Sequence, residues 1–177
     1  MQLSVYRPER DATELRDLLA GPGMLDYLYP GLRRPPSIDD ASRDWCTPPH
    51  EAGGDCQWVV RLECGEAVGC IRLETCELSF LIGQPFQNRG LATQALTLTK
   101  ERLLVKGAQP LYAYADRRNV PSSRVLERTG FVFMGLIDKP GSPNRVLAYC
   151  LSPQLAAGQR PDRVRSSPAR PEASAPR

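Results

Sequence analysis

The stretch from Glu77 to Thr93 limits what this chain can fold into more than any other part of it. Glu77 to Ile82 is an apolar, strand-like run, and Leu91 opens a long helical pattern. Between them, Gly83 to Gly90 form a turn. At such a junction the first backbone N–H groups of the helix have no partner within it and carry its partial positive charge, which makes an anion site suited to phosphate. Gly90 and Ala92 have almost no side chain, so a phosphate can approach the backbone closely. Ordinary strand–turn–helix connections share this pattern, so its meaning depends on the rest of the chain.

The surrounding periodicities predict the elements that hold this junction. Leu3 to Tyr6 reads as a short opening strand, and Ala12 to Leu19 as a helix with Asp11 as its N-cap. Gly21 to Pro49 is rich in proline and glycine, broken by Met24 to Tyr29. Within it Ser37 and Asp40 form a capping-box pattern that starts a short helix through Trp45. Gln57–Leu62 and Ala67–Leu73 are strands joined by a hairpin turn at Gly65-Glu66, and Glu77 to Ile82 adds a third after a very short link, giving an antiparallel meander. Leu91 to Val105 is the clearest helix, with Ala92, Ala95, Leu96, Leu103 and Leu104 on one stripe. Basic residues crowd its end, and Gly107 stands at C′. Leu111 to Ala115 is a strand with Tyr112 and Tyr114 on one face. A helix from Pro121 to Arg128 comes next, then strands at Phe131–Ile137 and Arg145–Leu151 across the turn-rich Pro140 to Asn144. The order implies an α/β sheet of mixed direction.

Bulk properties exclude several classes. The 177 residues, 41% apolar, suit one domain with a core. Arg7, Glu9, Arg10 and Asp11 interrupt any early apolar run, and no stretch approaches bilayer length, so the expectation is a cytoplasmic protein with no membrane association. Six cysteines form no Cys-x-x-Cys pair and His50 is the single histidine, which argues against a metal site; several of the cysteines lie in apolar strand-like runs, and they read as structural thiols. From Pro153 onward five arginines stand against Asp162 and Glu172 and carry the whole net charge of +3. Residues 1–152 balance at 18 basic and 18 acidic, so the body lacks the basic face of a nucleic-acid binder. Residues 153–177, poor in apolar side chains, read as a disordered basic tail.

A second motif runs from Asn119 to Phe131: Asn119-Val120-Pro121-Ser122-Ser123-Arg124-Val125-Leu126-Glu127-Arg128-Thr129-Gly130-Phe131. It resembles the Asn-x-x-Ser-x-Arg-Val-Leu-Glu-Lys-x-Gly-Phe signature of the GCN5-related N-acetyltransferases (GNAT), and more narrowly their ribosomal-protein alanine and serine N-terminal acetyltransferase branch. Gln87-x-x-Gly90-x-Ala92 likewise resembles the acetyl-CoA pyrophosphate loop of that superfamily, and the two motifs stand in the family's order. The resemblance implies a GNAT fold over residues 1–152: a mixed, mostly antiparallel sheet with flanking helices and a splayed strand pair for acetyl-CoA, the co-substrate. It implies that backbone groups of Phe80, Leu81 and Ile82 bond the pantetheine arm. The pyrophosphate rests on the N–H groups of Gln87, Asn88, Arg89, Gly90, Leu91, Ala92 and Thr93. Asn119 lies near the thiol, a role compatible with capping its own helix.

The resemblance also implies direct transfer of acetyl to an amine, for which a proton must leave the attacking nitrogen. Glu77 stands where many relatives carry a carboxylate and is the candidate base; the alternative is a solvated strand-end glutamate. Alternation puts Glu77, Ser79 and Leu81 on one face unless a bulge intervenes. The usual acid is a tyrosine at the position of Leu126, which cannot donate a proton, and Ser122 is the candidate acid in its place, or a helix cap. Gln94 replaces a glutamate common in the branch. Tyr27, Tyr29, Trp45 and Trp58 are candidates to frame the acceptor, or core. The expectation is an N-acetyltransferase, monomer or homodimer, acting on an amine-bearing protein or small molecule. The rivals are a catalytically degenerate acyl-CoA-binding regulatory module and nucleic-acid binding through the arginine tail.

Overall fold

The computed structural model describes residues 1–29, 34–48, 55–104, 110–139 and 144–152. In chain order the elements are β1 (Gln2–Val5), α1 (Pro8–Leu19), α2 (Ile38–Trp45), β2 (Cys56–Arg61), β3 (Ala67–Glu74), β4 (Glu77–Ile82), α3 (Leu91–Leu104), β5 (Leu111–Ala115), α4 (Val120–Arg128), β6 (Val132–Ile137) and β7 (Val146–Leu151), with short 3-10 turns at Met24–Asp26 and Gln84–Phe86. The expectations for Val105 to Gly107, for most of the Pro140 to Asn144 turn and for the tail from Pro153 lie outside the described residues.

Seven strands form one sheet in the order β1-β2-β3-β4-β5-β7-β6. Every neighbouring pair is antiparallel except β4 and β5. That parallel pair meets at a single position, Glu77 opposite Tyr112, where the Tyr112 N–H donates to the Cys76 carbonyl at 2.8 Å. Beyond it the strands part, and the sheet has an opening at its centre. The β3–β4 register is unbroken, so no bulge alters which way Glu77 faces.

Each face of the sheet carries its own core. Val60, Val68, Ile71, Leu73, Leu78, Ala113 and Tyr149 bury against Ala95, Leu96 and Leu103 of α3 and Leu126 of α4. On the other face Tyr6, Val59, Cys70 and Leu81 bury against Leu15 and Leu19 of α1 and Trp45 of α2. Side chains alternate along β4, Leu78 and Phe80 packing with the first cluster and Leu81 with the second. Trp58 belongs to the first core, away from α1 and α2, so it does not frame an acceptor.

The first helix begins four residues earlier than its apolar pattern suggests. Pro8 sits at the start of α1, where its fixed φ and missing N–H suit a first turn, and Arg7 is the N-cap. Asp11 is therefore inside the helix. Fully buried, it accepts the Arg7 N–H at 2.7 Å and bonds Arg10 and, at 2.8 Å, Arg61 of β2. Burial alone would raise its carboxyl, but the bonds from Arg10, the Arg7 N–H and Arg61 hold it below the ordinary carboxylate range. This network fastens α1 to the sheet. The α2 cap is as expected: Ser37 Oγ accepts the Asp40 N–H at 3.1 Å. All six cysteines are free thiols, and burial pushes Cys70 up to about 12.

Candidate functional site

A cleft of about 1060 Å³ passes through the sheet where β4 and β5 part. Its lining draws on both faces: Glu77, Ser79, Tyr112 and Tyr114 with residues of the α1–α2 region, and Phe80, Asn119, Ser122 and Val125 with the first turn of α3. Of the sequence-nominated residues, Glu77, Phe80, Leu81, Ile82, Gln87, Asn88, Gly90, Leu91, Ala92, Thr93, Asn119 and Ser122 all line it. Arg89 does not; its guanidinium lies 5.8 Å from the Phe86 ring centroid.

The loop after β4 is built to leave its amides free. Asn88 and Gly90 adopt left-handed backbone, with φ of 60° and 75°, a conformation glycine takes without strain and asparagine tolerates. Among the described residues, no backbone partner meets the N–H groups from Asn88 to Thr93; the first helical bond of α3 runs from Gln94 N–H to Gly90 O at 3.1 Å. These groups converge at the positive end of α3. The Gln87 N–H is not among them, since it donates to Gln84 O at 3.3 Å. Instead the Gln87 side chain positions the loop, its Nε2 donating to Ile82 O at 3.0 Å. Gly83 lets α1 close on the same junction: a Cβ there would come within 2.4 Å of Leu18 Cδ2.

The free edge of β4 results from its pairing. Gly83 N–H donates to Val68 O, which fixes Leu81, Ser79 and Glu77 as the residues whose N–H and C=O turn toward β3. Phe80 and Ile82 turn theirs toward the opening. Leu81 contributes no backbone group to the cleft, which corrects the expectation for that residue. The Ile82 carbonyl is taken by Gln87, so the Phe80 N–H and C=O and the Ile82 N–H remain.

Asn119 is the N-cap of α4; its Oδ1 accepts the Ser122 N–H at 3.2 Å, and its amide N–H groups have no partner among the described residues. The cap fixes the carboxamide and leaves its donors for the cleft. Ser122 is half-buried at the third position of the helix. Leu126 is 1% exposed and belongs to the core.

Polar side chains gather on the α1–α2 side of the cleft. Arg72 Nη1 donates to the Asp44 carbonyl at 2.7 Å and carboxylate at 3.1 Å, and Arg72 also pairs with Glu74 at 3.2 Å. Tyr29 OH donates to Asp44 at 2.8 Å, and burial, then the Asp44 hydrogen bond, push its phenol above the ordinary value. Arg118 reaches over the Tyr27 ring at 5.4 Å. Glu77 is not solvated alone: Lys139, just past β6, places Nζ 2.5 Å from its Oε1 and 4.4 Å from the Tyr114 ring centroid. Sequence reasoning misses Lys139, although one signal is there. The chain has three lysines among 23 basic residues, and this is one of them. No group of three or more metal-ligating side chains occurs among the described residues. Nor is any helix among them long and apolar enough to cross a membrane.

The sequence over residues 2–132 matches the profile of the Acetyltransferase (GNAT) domain. The chain belongs to the GNAT acetyltransferase family. Solved structures share its fold at low identity. The aminoglycoside acetyltransferase AAC(6')-Ib in complex with coenzyme A aligns at a TM-score of 0.71 and 17% identity, covering 90% of this chain and 99% of that one. The acetyltransferase from Salmonella typhimurium that modifies the N-terminal serine of ribosomal protein L7/L12 aligns at 0.68 and 15%, covering 84% and 92%. A spermidine N-acetyltransferase SpeG mutant from Vibrio cholerae aligns at 0.64 and 15%, covering 85% and 94%. No curated protein sequence matches. The family, with neighbours solved holding coenzyme A or acetyl-CoA, supports acetyl-CoA as the co-substrate.

Proposed function

We propose that the protein transfers an acetyl group from acetyl-CoA to a primary amine, on a protein N-terminus or a small molecule, by direct attack while both substrates are bound. One observation carries this reading: the unpartnered N–H groups from Asn88 to Thr93 lead into the free Phe80 edge of β4, within a cleft open to both faces of the sheet. The first group suits a pyrophosphate and the second an amide-bearing arm. The opening lets donor and acceptor approach from opposite faces.

In this reading Glu77 takes the proton from the acceptor's ammonium. The Phe80 N–H faces the carbonyl oxygen as charge develops on it. Ser122 returns a proton to the departing sulfur, and the Asn119 amide holds the arm beside it. The acceptor enters between Tyr27, Tyr29 and the Glu77–Lys139 pair. The neighbours' acceptors, an aminoglycoside, a polyamine and a protein N-terminus by their names, define the panel to try.

The test is incubation with acetyl-CoA and peptides bearing free N-termini, polyamines and aminoglycosides, reading free CoA and acetylated product by mass spectrometry. At least one amide product is expected. Acetyl-CoA binding without CoA release from any amine would leave the acyl-CoA-binding regulatory module instead, a reading favoured by the buried Leu126, which cannot donate a proton.

A further inference from the structure

We propose that Lys139 is itself an acetyl acceptor, so that the protein modifies its own cleft; the inference rests on the acetyl-transfer reading above. The chain uses lysine only at positions 100, 106 and 139, against twenty arginines. Lys100 Nζ donates to the Thr129 carbonyl at 3.0 Å, and Lys100 does not line the cleft. Lys139 does line it, with Nζ on the candidate base and against the Tyr114 ring.

A carboxylate beside an aromatic face is the chemistry that holds a primary ammonium. Lys139 therefore occupies, with its own side chain, the seat that an amine substrate takes. An arginine there would keep its proton at any working pH, whereas a lysine amine can lose one and attack. Its side chain is 27% exposed and carried on a flexible stem, so its nitrogen can move toward a thioester held along β4.

The step balances without a further reagent. The Lys139 ammonium gives one proton to Glu77, and its nitrogen lone pair forms the bond to the acetyl carbon. The carbon–sulfur bond breaks with its electron pair on sulfur. A second proton leaves nitrogen as the amide forms, the third stays as the amide N–H, and one of the two protons released goes to the thiolate. The products are an amide at Lys139, free CoA and one released proton. Acetylated Lys139 carries no charge and no longer pairs with Glu77, so the modification uncovers that carboxylate for an added ammonium acceptor.

The test incubates purified full-length protein with isotopically labelled acetyl-CoA and follows Lys100, Lys106 and Lys139 by peptide mass spectrometry at two protein concentrations. Label is expected at Lys139 first, at a rate independent of protein concentration. Glu77→Gln should slow it about a hundredfold or more, without changing the background at the other two lysines. Lys139→Arg should remove this site alone while retaining acetyl-CoA binding by calorimetry, which shows that it is folded. Equal labelling of the three lysines, or a rate that rises with protein concentration, overturns the proposal. Unmodified Lys139 in a preparation that acetylates an added amine overturns it and leaves the transfer reading standing. A protein that does not bind acetyl-CoA overturns both.

Discussion

In the proposed reading the donor side of the cleft is built from backbone and the acceptor side from side chains. From Asn88 to Thr93 and along Phe80, the groups available to a ligand are amides, held by two left-handed residues, a helix start and an unpaired strand edge. Across the opening, Tyr29, Asp44, Arg72, Glu77 and Lys139 come from a loop, α2, β3, β4 and the exit of β6, and make ion pairs and hydrogen bonds with one another. A backbone site tolerates sequence change provided the conformation persists. A side-chain site changes character with each substitution. This division suits an enzyme family in which the donor is constant and the acceptor differs.

If the two sides are independent, a change on one should leave the other's ligand untouched. The largest effect is expected at Glu77→Gln, which should lower kcat/KM for the best acceptor by about 10²–10⁴, with acetyl-CoA affinity unchanged in a calorimetric titration. An equal fall in acetyl-CoA affinity would join the two sides.

Asp11→Asn comes next, because it removes the buried partner of Arg10 and Arg61. It should cost about 3 kcal/mol in chemical denaturation. The folded carboxyl lies below its unfolded value, so its contribution is complete above the ordinary aspartate pKa of about 3.9 and disappears as pH falls through the folded value. The wild type should lose stability across that acid window more steeply than the Asn variant, and parallel profiles would remove Asp11 from the account.

Tyr27→Ala removes the ring beneath Arg118 and should raise acceptor KM by about 0.5–1 kcal/mol of binding, again without affecting acetyl-CoA. The smallest effect is expected at the β3–β4 turn. Thr75 and Cys76 both hold positive φ, 48° and 66°, where a β-branched residue is strained. Thr75→Asn should stabilise by about 0.5 kcal/mol and move neither affinity. A shift in either would show that the turn sets the position of Glu77.

The same contrast explains what the sequence discloses. The proposed donor site can be read because its parts are contiguous: a strand, a turn with Gly90 and a helix start occupy one window, and Asn119 begins a second. The meander, α3 and the Ser37 cap are local in the same way. What cannot be read depends on convergence in space. Nothing near Lys139 indicates that the end of β6 will deliver it across β7 and β5 to Glu77, and nothing near Asp44 indicates Arg72. Trp58 misleads because an aromatic in a strand shows its face only once the register is known. Leu81 shares a window with Phe80, but hydrogen-bond alternation gives the opening to Phe80 and Ile82. The start of α1 escapes the pattern because a proline and a buried aspartate make its first turn, upstream of the apolar stripe.

If the β4–α3 junction holds the donor through its backbone, a calorimetric titration of acetyl-CoA against the Gly90 variants reads it. Gly90 has φ of 75° and open space at its Cβ position, the nearest atom being Gln94 Nε2 at 4.0 Å. Gly90→Ala therefore adds only backbone strain of about 1–2 kcal/mol, and Gly90→Glu adds a carboxylate where the pyrophosphate is to lie. The wild type should bind, Gly90→Ala should bind within about tenfold of it, and Gly90→Glu, folded by circular dichroism, should give no binding heat. Unchanged affinity in Gly90→Glu would place the pyrophosphate away from this loop.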